Sequence, residues 1–179
     1  MPHRLPPVLS SNDLPLAELL AARLDGEVYA VDDCFSPVDE VEQPEHRARA
    51  LRAGLSDRLI AEQRSAAWVW GALQHPPLPH QLCAAMGARV RPPGAGWVMS
   101  REVVVEPWEV VTLGGMQVTT PLRTAVDLAR FSSNYGELEA SMVRRLMIIG
   151  EFTVAHCLDD MDRRRNLPNK KQAILRLSR

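Results

Sequence analysis

Leucines at 16, 19, 20 and 24 recur at helical spacing and predict a first helix, with Asp13 able to cap it, Pro15 in its first turn and Gly26 ending it. Glu27-Val28-Tyr29-Ala30-Val31 alternates as a short strand. Residues 32–44 are acidic and turn-rich and read as a surface connection, followed by a helix over 44–53 with Arg47, Arg49 and Arg52 on its exposed side. The run Arg58-Leu59-Ile60-Ala61 fits a short buried strand, and the small-residue and tryptophan run 65–73 fits a close-packed helix. The proline-rich stretch 75–80 breaks the chain. A weak strand pair is expected over 82–90, and further strands over 97–101 and 110–119, the last folded back at Gly114-Gly115.

The C-terminal half reads as helices. Thr120-Pro121 pairs a capping hydroxyl with a proline at the first helical position, and Leu122, Ala125, Val126 and Ala129 give that helix an apolar face. A helix over 135–149 would turn Leu138, Met142, Leu146 and Ile149 inward and close at Gly150. Thr153 can cap a helix to about 161. After the break Asn166-Leu167-Pro168-Asn169, a last helix from Lys170 would bury Ile174 and Leu177. One helix and strand, a strand-rich middle and a run of helices is an α+β order, not an alternating β-α-β one.

Composition adds limits. With 179 residues, 46% hydrophobic and 24% charged, the chain fits one domain, or one with a small appendage, and can bury a core without staples. No apolar run approaches a membrane span and the N-terminus has no signal-type apolar segment, so a cytoplasmic location is expected. Cys34, Cys83 and Cys157 read as reduced, mostly buried thiols rather than a disulfide framework. His75, His80 and Cys83 are the nearest approach to a metal-ligand spacing, and they match no zinc module, so no metal or other cofactor is expected. No phosphate loop, nucleophile elbow or carboxylate–lysine nuclease constellation is present, which points away from an enzyme.

Charge is unevenly placed. From residue 13 to 45 there are ten acids and one base, Arg23, a net of −9; from 163 to 179 there are seven bases and no acid. Those bases, Arg163, Arg164, Arg165, Lys170, Lys171, Arg176 and Arg179, are the candidate nucleic-acid contacts, since phosphate attraction needs only clustered cations. The same tail fits equally well as a solubilising terminus or a clasp onto the acidic connection.

The most informative stretch is Leu113-Gly114-Gly115-Met116-Gln117-Val118-Thr119-Thr120-Pro121-Leu122-Arg123-Thr124-Ala125-Val126-Asp127-Leu128-Ala129-Arg130. It resembles the Thr-Thr-Pro-x-Arg-Thr-x-x-Asp-Leu-Ala segment of AbiEi-type antitoxins, bacterial transcriptional regulators of type IV toxin–antitoxin systems. Residues 65–73 are similar to that family's Ser-Ala-Ala helix, and 26–31 to its wing strand; the resemblance spans about residue 16 to the end. Within the motif, Thr120, Pro121, Arg123, Thr124 and Asp127 read as structural. Arg123 can pair with Asp127 four residues on, or bond carbonyls of the preceding hairpin.

The resemblance implies binding rather than catalysis, with DNA as a partner and a nucleotidyltransferase-like toxin as a functional one. It also implies a division into residues 1–43, a partial winged-helix-like segment with its acidic connector, and 44–179, a mixed antitoxin-type domain with a helical C-terminal half and a basic last helix. Family regulators open with a complete winged helix-turn-helix; here one helix precedes the wing-like strand, in the acidic region that phosphate repels. Related chains that carry a Vsr-like nuclease domain would have it beginning near Arg179, so that activity is not expected here. The alternative reading is a protein–protein interaction module that has lost DNA binding.

Overall fold

A computed structural model of the chain describes residues 6–88, 90, 96–164 and 166–178. The fold is α+β. Among the described residues, helix α1 (Leu16–Leu24) leads to a hairpin of β1 (Val28–Val31) and β2 (Cys34–Pro37), then α2 (Pro44–Arg52), β3 (Leu59–Ala61) and α3 (Gln63–Val69). Strands β4 (His80–Ala85), β5 (Val98–Val103), β6 (Val110–Leu113) and β7 (Met116–Thr119) follow, then helices α4 (Pro121–Phe131), α5 (Glu137–Ile149), α6 (Val154–Asp162) and α7 (Lys170–Leu177).

Among the described residues five strands make one sheet in the order β5-β4-β3-β7-β6. β3 lies at its centre, antiparallel to β4 and parallel to β7. All three of its residues are buried, as a central strand covered on both faces requires. One apolar core joins the sheet to α2 and α3 through Leu51, Leu59, Trp68 and Leu82. A second lies among the helices, around Leu128, Met142, Leu146 and Met161. α4 has its place in that second core because Ala125, Val126, Leu128 and Ala129 are completely buried.

The N-terminal elements form their own small cluster of Leu9, Leu19, Val28 and Phe35. Among the described residues one helix precedes β1, and Leu9 bridges to Phe35 beside the hairpin. Several expectations need correction here. Asp13 does not cap α1; Pro15 occupies the cap position, and the Asp13 carboxylate accepts from the Ser10 backbone N–H and hydroxyl instead. Of the α1 leucines only Leu19 is buried, since a single hairpin can cover only one line of a helix. The acidic connection is not all loop: Cys34–Pro37 pairs as β2.

Further along, Arg47 turns inward and donates to the carbonyls of Trp68 and Leu73, satisfying groups at and beyond the end of α3. The helix expected over 65–73 is Gln63–Val69, ended by Gly71 at positive φ. The strand pair expected over 82–90 is the single strand β4, whose partners are β3 and β5. On α5, Leu138 and Ile149 face outward while Glu139 is buried, because an ion pair with Arg64 and the Gly136 backbone N–H satisfy its carboxylate. Ile174 is half-buried, and Ala173 and Leu177 carry the buried line of α7.

Candidate functional site

The motif forms the corner where β7 turns into α4. The Thr120 hydroxyl accepts from the Arg123 backbone N–H at 3.4 Å, a capping contact, and Pro121 follows where its missing N–H costs nothing. The Thr124 hydroxyl donates back to the Thr120 carbonyl at 2.8 Å and sits 2.7 Å from the Thr119 hydroxyl. The Trp70 indole N–H reaches the Thr119 carbonyl at 2.9 Å, tying the end of α3 to the same corner. Each of these groups is bonded within the protein, so the sequence Thr-Thr-Pro-x-Arg-Thr is spent on geometry.

Beneath that corner lies a buried charge network. Asp127, fully buried, accepts from Arg123 Nε at 2.8 Å and from Arg130 at 2.9 Å, with Arg101 3.7 Å away. Arg123 also bonds Glu109 at 2.5 Å. Arg101 makes a two-point pair with Glu62, both distances 2.6 Å. Arg164 joins Glu109 to Asp160. Arg101 and Arg130 also both lie on the Phe131 ring, their guanidinium carbons 4.0 and 4.4 Å from its centroid.

The electrostatics follow from these contacts. Burial alone would raise the Glu109 carboxyl, yet the Glu106 backbone N–H and the guanidiniums of Arg123 and Arg164 hold it below the usual range. Burial works against the charge on Arg123, but Asp127 and Glu109 outweigh it and raise its pKa. Arg130 shifts down instead: burial is reinforced by the cations Arg123, Arg101 and Arg164 and outweighs Asp127. Of the two alternatives for Arg123, the structure places its side chain on carboxylates, Asp127 and Glu109.

Sequence reasoning missed Glu62, Arg101, Glu109 and Arg130. The available signals were faint: an acid directly after the apolar triplet of β3, and an arginine three residues beyond Asp127.

The basic tail divides. Arg163 and Lys171 are exposed. Lys170 pairs at 2.6 Å with Asp162, itself 69% exposed. Arg164 is held by Glu109 and Asp160, and Arg176 donates to the Ala129 carbonyl at 2.8 Å and stacks on Tyr135. Arg165 and Arg179 lie outside the described residues. Among the described residues the tail's ion pairs go to Glu109, Asp160 and Asp162, not to the acidic connection, so the clasp onto that segment is not formed.

A third cluster has the composition of a hydrolase triad. His80 stands between the Ser65 hydroxyl, 3.2 Å from Nδ1, and the Asp32 carboxylate, 3.1 Å from Nε2. Ser65 is completely buried and already accepts the Gln81 backbone N–H at 2.8 Å, so no substrate carbonyl can approach it. The cluster fastens the β1–β2 turn, where Asp32 sits at positive φ, to β4. His75 and Cys83 do not join it, and among the described residues no cluster of metal-ligating side chains occurs. All three cysteines are buried free thiols; burial, with nearby acids, pushes Cys34 up to about 11 and Cys157 to about 12.

Comparison with known proteins bears on residues 59–148, which match the family model of the AbiEi antitoxin C-terminal domain. The matched stretch runs from β3 into the last turn of α5 and contains the whole motif and its charge network except Arg164 and Asp160. No curated protein matches. Among solved structures, the chain is similar to the crystal structure of the RV2827C protein from Mycobacterium tuberculosis, with 15% identity, coverage of 97% of this chain and 76% of that one, and a TM-score of 0.38.

Proposed function

This chain belongs to the AbiEi antitoxin C-terminal domain family, and we propose that it is an AbiEi-like antitoxin or transcriptional regulator that acts by binding rather than by catalysis. The observation that carries the reading is the internal use of the motif's charged groups. Arg123, Asp127 and Glu109 satisfy one another, which leaves a rigid corner and no free nucleophile or base there.

In this reading duplex DNA is met by the cations that remain outside the network. Arg163 and Lys171 are exposed. Lys170 joins them, because a surface pair such as that with Asp162 contributes only about 0–1 kcal/mol and yields readily to a phosphate. Arg165 and Arg179 belong to the same proposed set. Arg164 and Arg176 hold the protein's own structure instead. Residues 1–43 serve as a remnant of a winged helix whose net charge of −9 over 13–45 keeps it away from phosphates. The toxin neutralised is nucleotidyltransferase-like, through repression or through contact.

One observation favours the second reading, an interaction module without DNA binding. Leu16, Leu20 and Leu24, four residues apart along α1, are 54%, 44% and 89% exposed. Fluorescence anisotropy with DNA from the gene's own promoter, beside a growth-rescue assay in cells expressing a nucleotidyltransferase-like toxin, separates the two. Salt-sensitive promoter binding with rescue supports the first reading. Rescue with no DNA binding at any salt transfers the function to the interaction module, and neither result sinks both.

A further inference from the structure

A cleft of about 810 Å³ opens between β5, the turn Pro107–Glu109 and the segment joining α6 to α7. That size lies within the range of roughly 300–1,000 Å³ usual for small-ligand sites. Its floor is the outer side of the charge network, where Arg101 and Arg164 keep 31% and 24% of their side chains exposed after serving their carboxylates. Each guanidinium carries five N–H donors, so donors remain on the cleft side. Arg163 stands on the rim. Trp108 lines the cleft too, with 73% of its surface exposed, and Val103, Val104 and Leu167 extend the apolar lining.

The Trp108 indole is exposed, whereas the other described tryptophans are buried or half-buried. Trp108 is also held near the cations, since its neighbour Glu109 is the carboxylate that Arg164 and Arg123 grip. Carboxylates line the cleft too, Glu102, Glu106, Glu109 and Asp160 against five arginines, and Glu109 and Asp160 are already paired to Arg164. A flat apolar face beside that small excess of cations matches a ligand that is both aromatic and anionic.

We propose that this cleft binds a nucleoside 5′-phosphate group, with the base stacked on Trp108 and the phosphate on Arg163 and the outward donors of Arg101 and Arg164. The group can belong to a free mononucleotide or to the 5′ end of a single strand. Of the cations proposed for duplex binding the cleft shares Arg163, while Lys170 and Lys171 do not line it.

The test is calorimetric titration of the full chain with adenosine 5′-monophosphate, adenosine, inorganic phosphate, and a tetranucleotide with and without its 5′-phosphate. The monophosphate should bind saturably, and adenosine and phosphate at least about tenfold more weakly. Trp108→Ala and Arg163→Gln change exposed side chains and should keep the wild-type melting temperature. Each should weaken the monophosphate by roughly tenfold or more, the scale of one base stack or one charged contact. Tighter binding of the monophosphate than of the phosphorylated tetranucleotide identifies a free nucleotide as ligand; the reverse identifies a strand end. No saturable binding of either at millimolar concentration overturns the proposal. So does inorganic phosphate binding as tightly as the monophosphate, or wild-type affinity in both variants.

Discussion

Arg123→Ala should damage the fold far more than any contact with a partner. The substitution leaves the Thr120 cap intact, because that bond is made by the residue's backbone N–H. It removes one guanidinium from two buried carboxylates, Asp127 and Glu109. Breaking a buried pair by deleting one member costs about 3–5 kcal/mol, because the remaining charge stays out of water. Neither carboxylate is fully orphaned: Asp127 keeps Arg130 at 2.9 Å, and Glu109 keeps Arg164. The low end, about 3 kcal/mol, is therefore expected. For a chain of this length each kcal/mol lowers Tm by about 2–4 °C, so the shift should be about 6–12 °C. The assay is thermal unfolding followed by circular dichroism, with the exposed Arg145→Ala as a control that should stay within about 0.5 kcal/mol. DNA affinity, measured well below both melting points, should change less than twofold. An unchanged Tm together with lost DNA binding or lost toxin neutralisation would refute the reasoning and make Arg123 a contact residue.

Burial works against the charge on Glu109 and Glu139, yet their backbone N–H and arginine partners hold both carboxyls below the usual range, so their contribution is present above the unfolded pKa of about 4.3 and is lost as pH falls through the folded values. Tm should be flat from neutrality to about pH 5 and fall below that, and Glu109→Gln should flatten the acid limb; an unchanged limb would contradict the assignment. Gly114→Ala should destabilise by about 1–3 kcal/mol in chemical denaturation, since φ is +53° and the added Cβ would run into the Glu45 carbonyl. Gly26→Ala, with φ +76° and nothing within 4 Å, should cost less, and equal losses would remove the argument from packing. Cys34 and Cys157, buried thiols raised to about 11 and 12, should resist alkylation at pH 8 until the protein is denatured; fast reaction in the native state would show that they are accessible.

The strongest local signals read true. Thr120-Pro121 starts α4, Leu59-Ile60-Ala61 is a central strand, and Gly114-Gly115 turns the β6–β7 hairpin, because a cap, a short apolar run and paired glycines each act within a few residues. The less legible parts depend on tertiary partners. Glu139 is buried on α5 because Arg64, 75 positions earlier, reaches it, while Leu138 faces outward; periodicity on α5 alone favours the reverse. The Asp32–His80–Ser65 cluster spans three elements and has no motif. In the site, the Arg123–Asp127 pair was visible as a four-residue spacing, but Glu62 follows the end of β3, Glu109 lies in a turn and Arg101 lies within β5, and only the sheet brings them together. The basic tail looked uniform in sequence, and packing divides it, because Arg164 and Arg176 find carboxylates or carbonyls while Arg163 and Lys171 remain exposed.

The central claim, binding of DNA through the basic C-terminal segment, is tested most directly by salt-dependent titration of promoter DNA with wild type and with a variant carrying Arg163→Gln, Arg165→Gln, Lys170→Gln and Lys171→Gln. Arg164 and Arg176 are left in place because they hold the fold. Each phosphate contact contributes about −0.9 to the slope of log K against log salt, so wild type should show a slope on the order of −3, and the folded variant, which keeps Arg179, a slope of about −0.9 or shallower with strongly reduced affinity. Wild-type slope and affinity in the folded variant, or no DNA binding by wild type at any salt concentration, would contradict the claim.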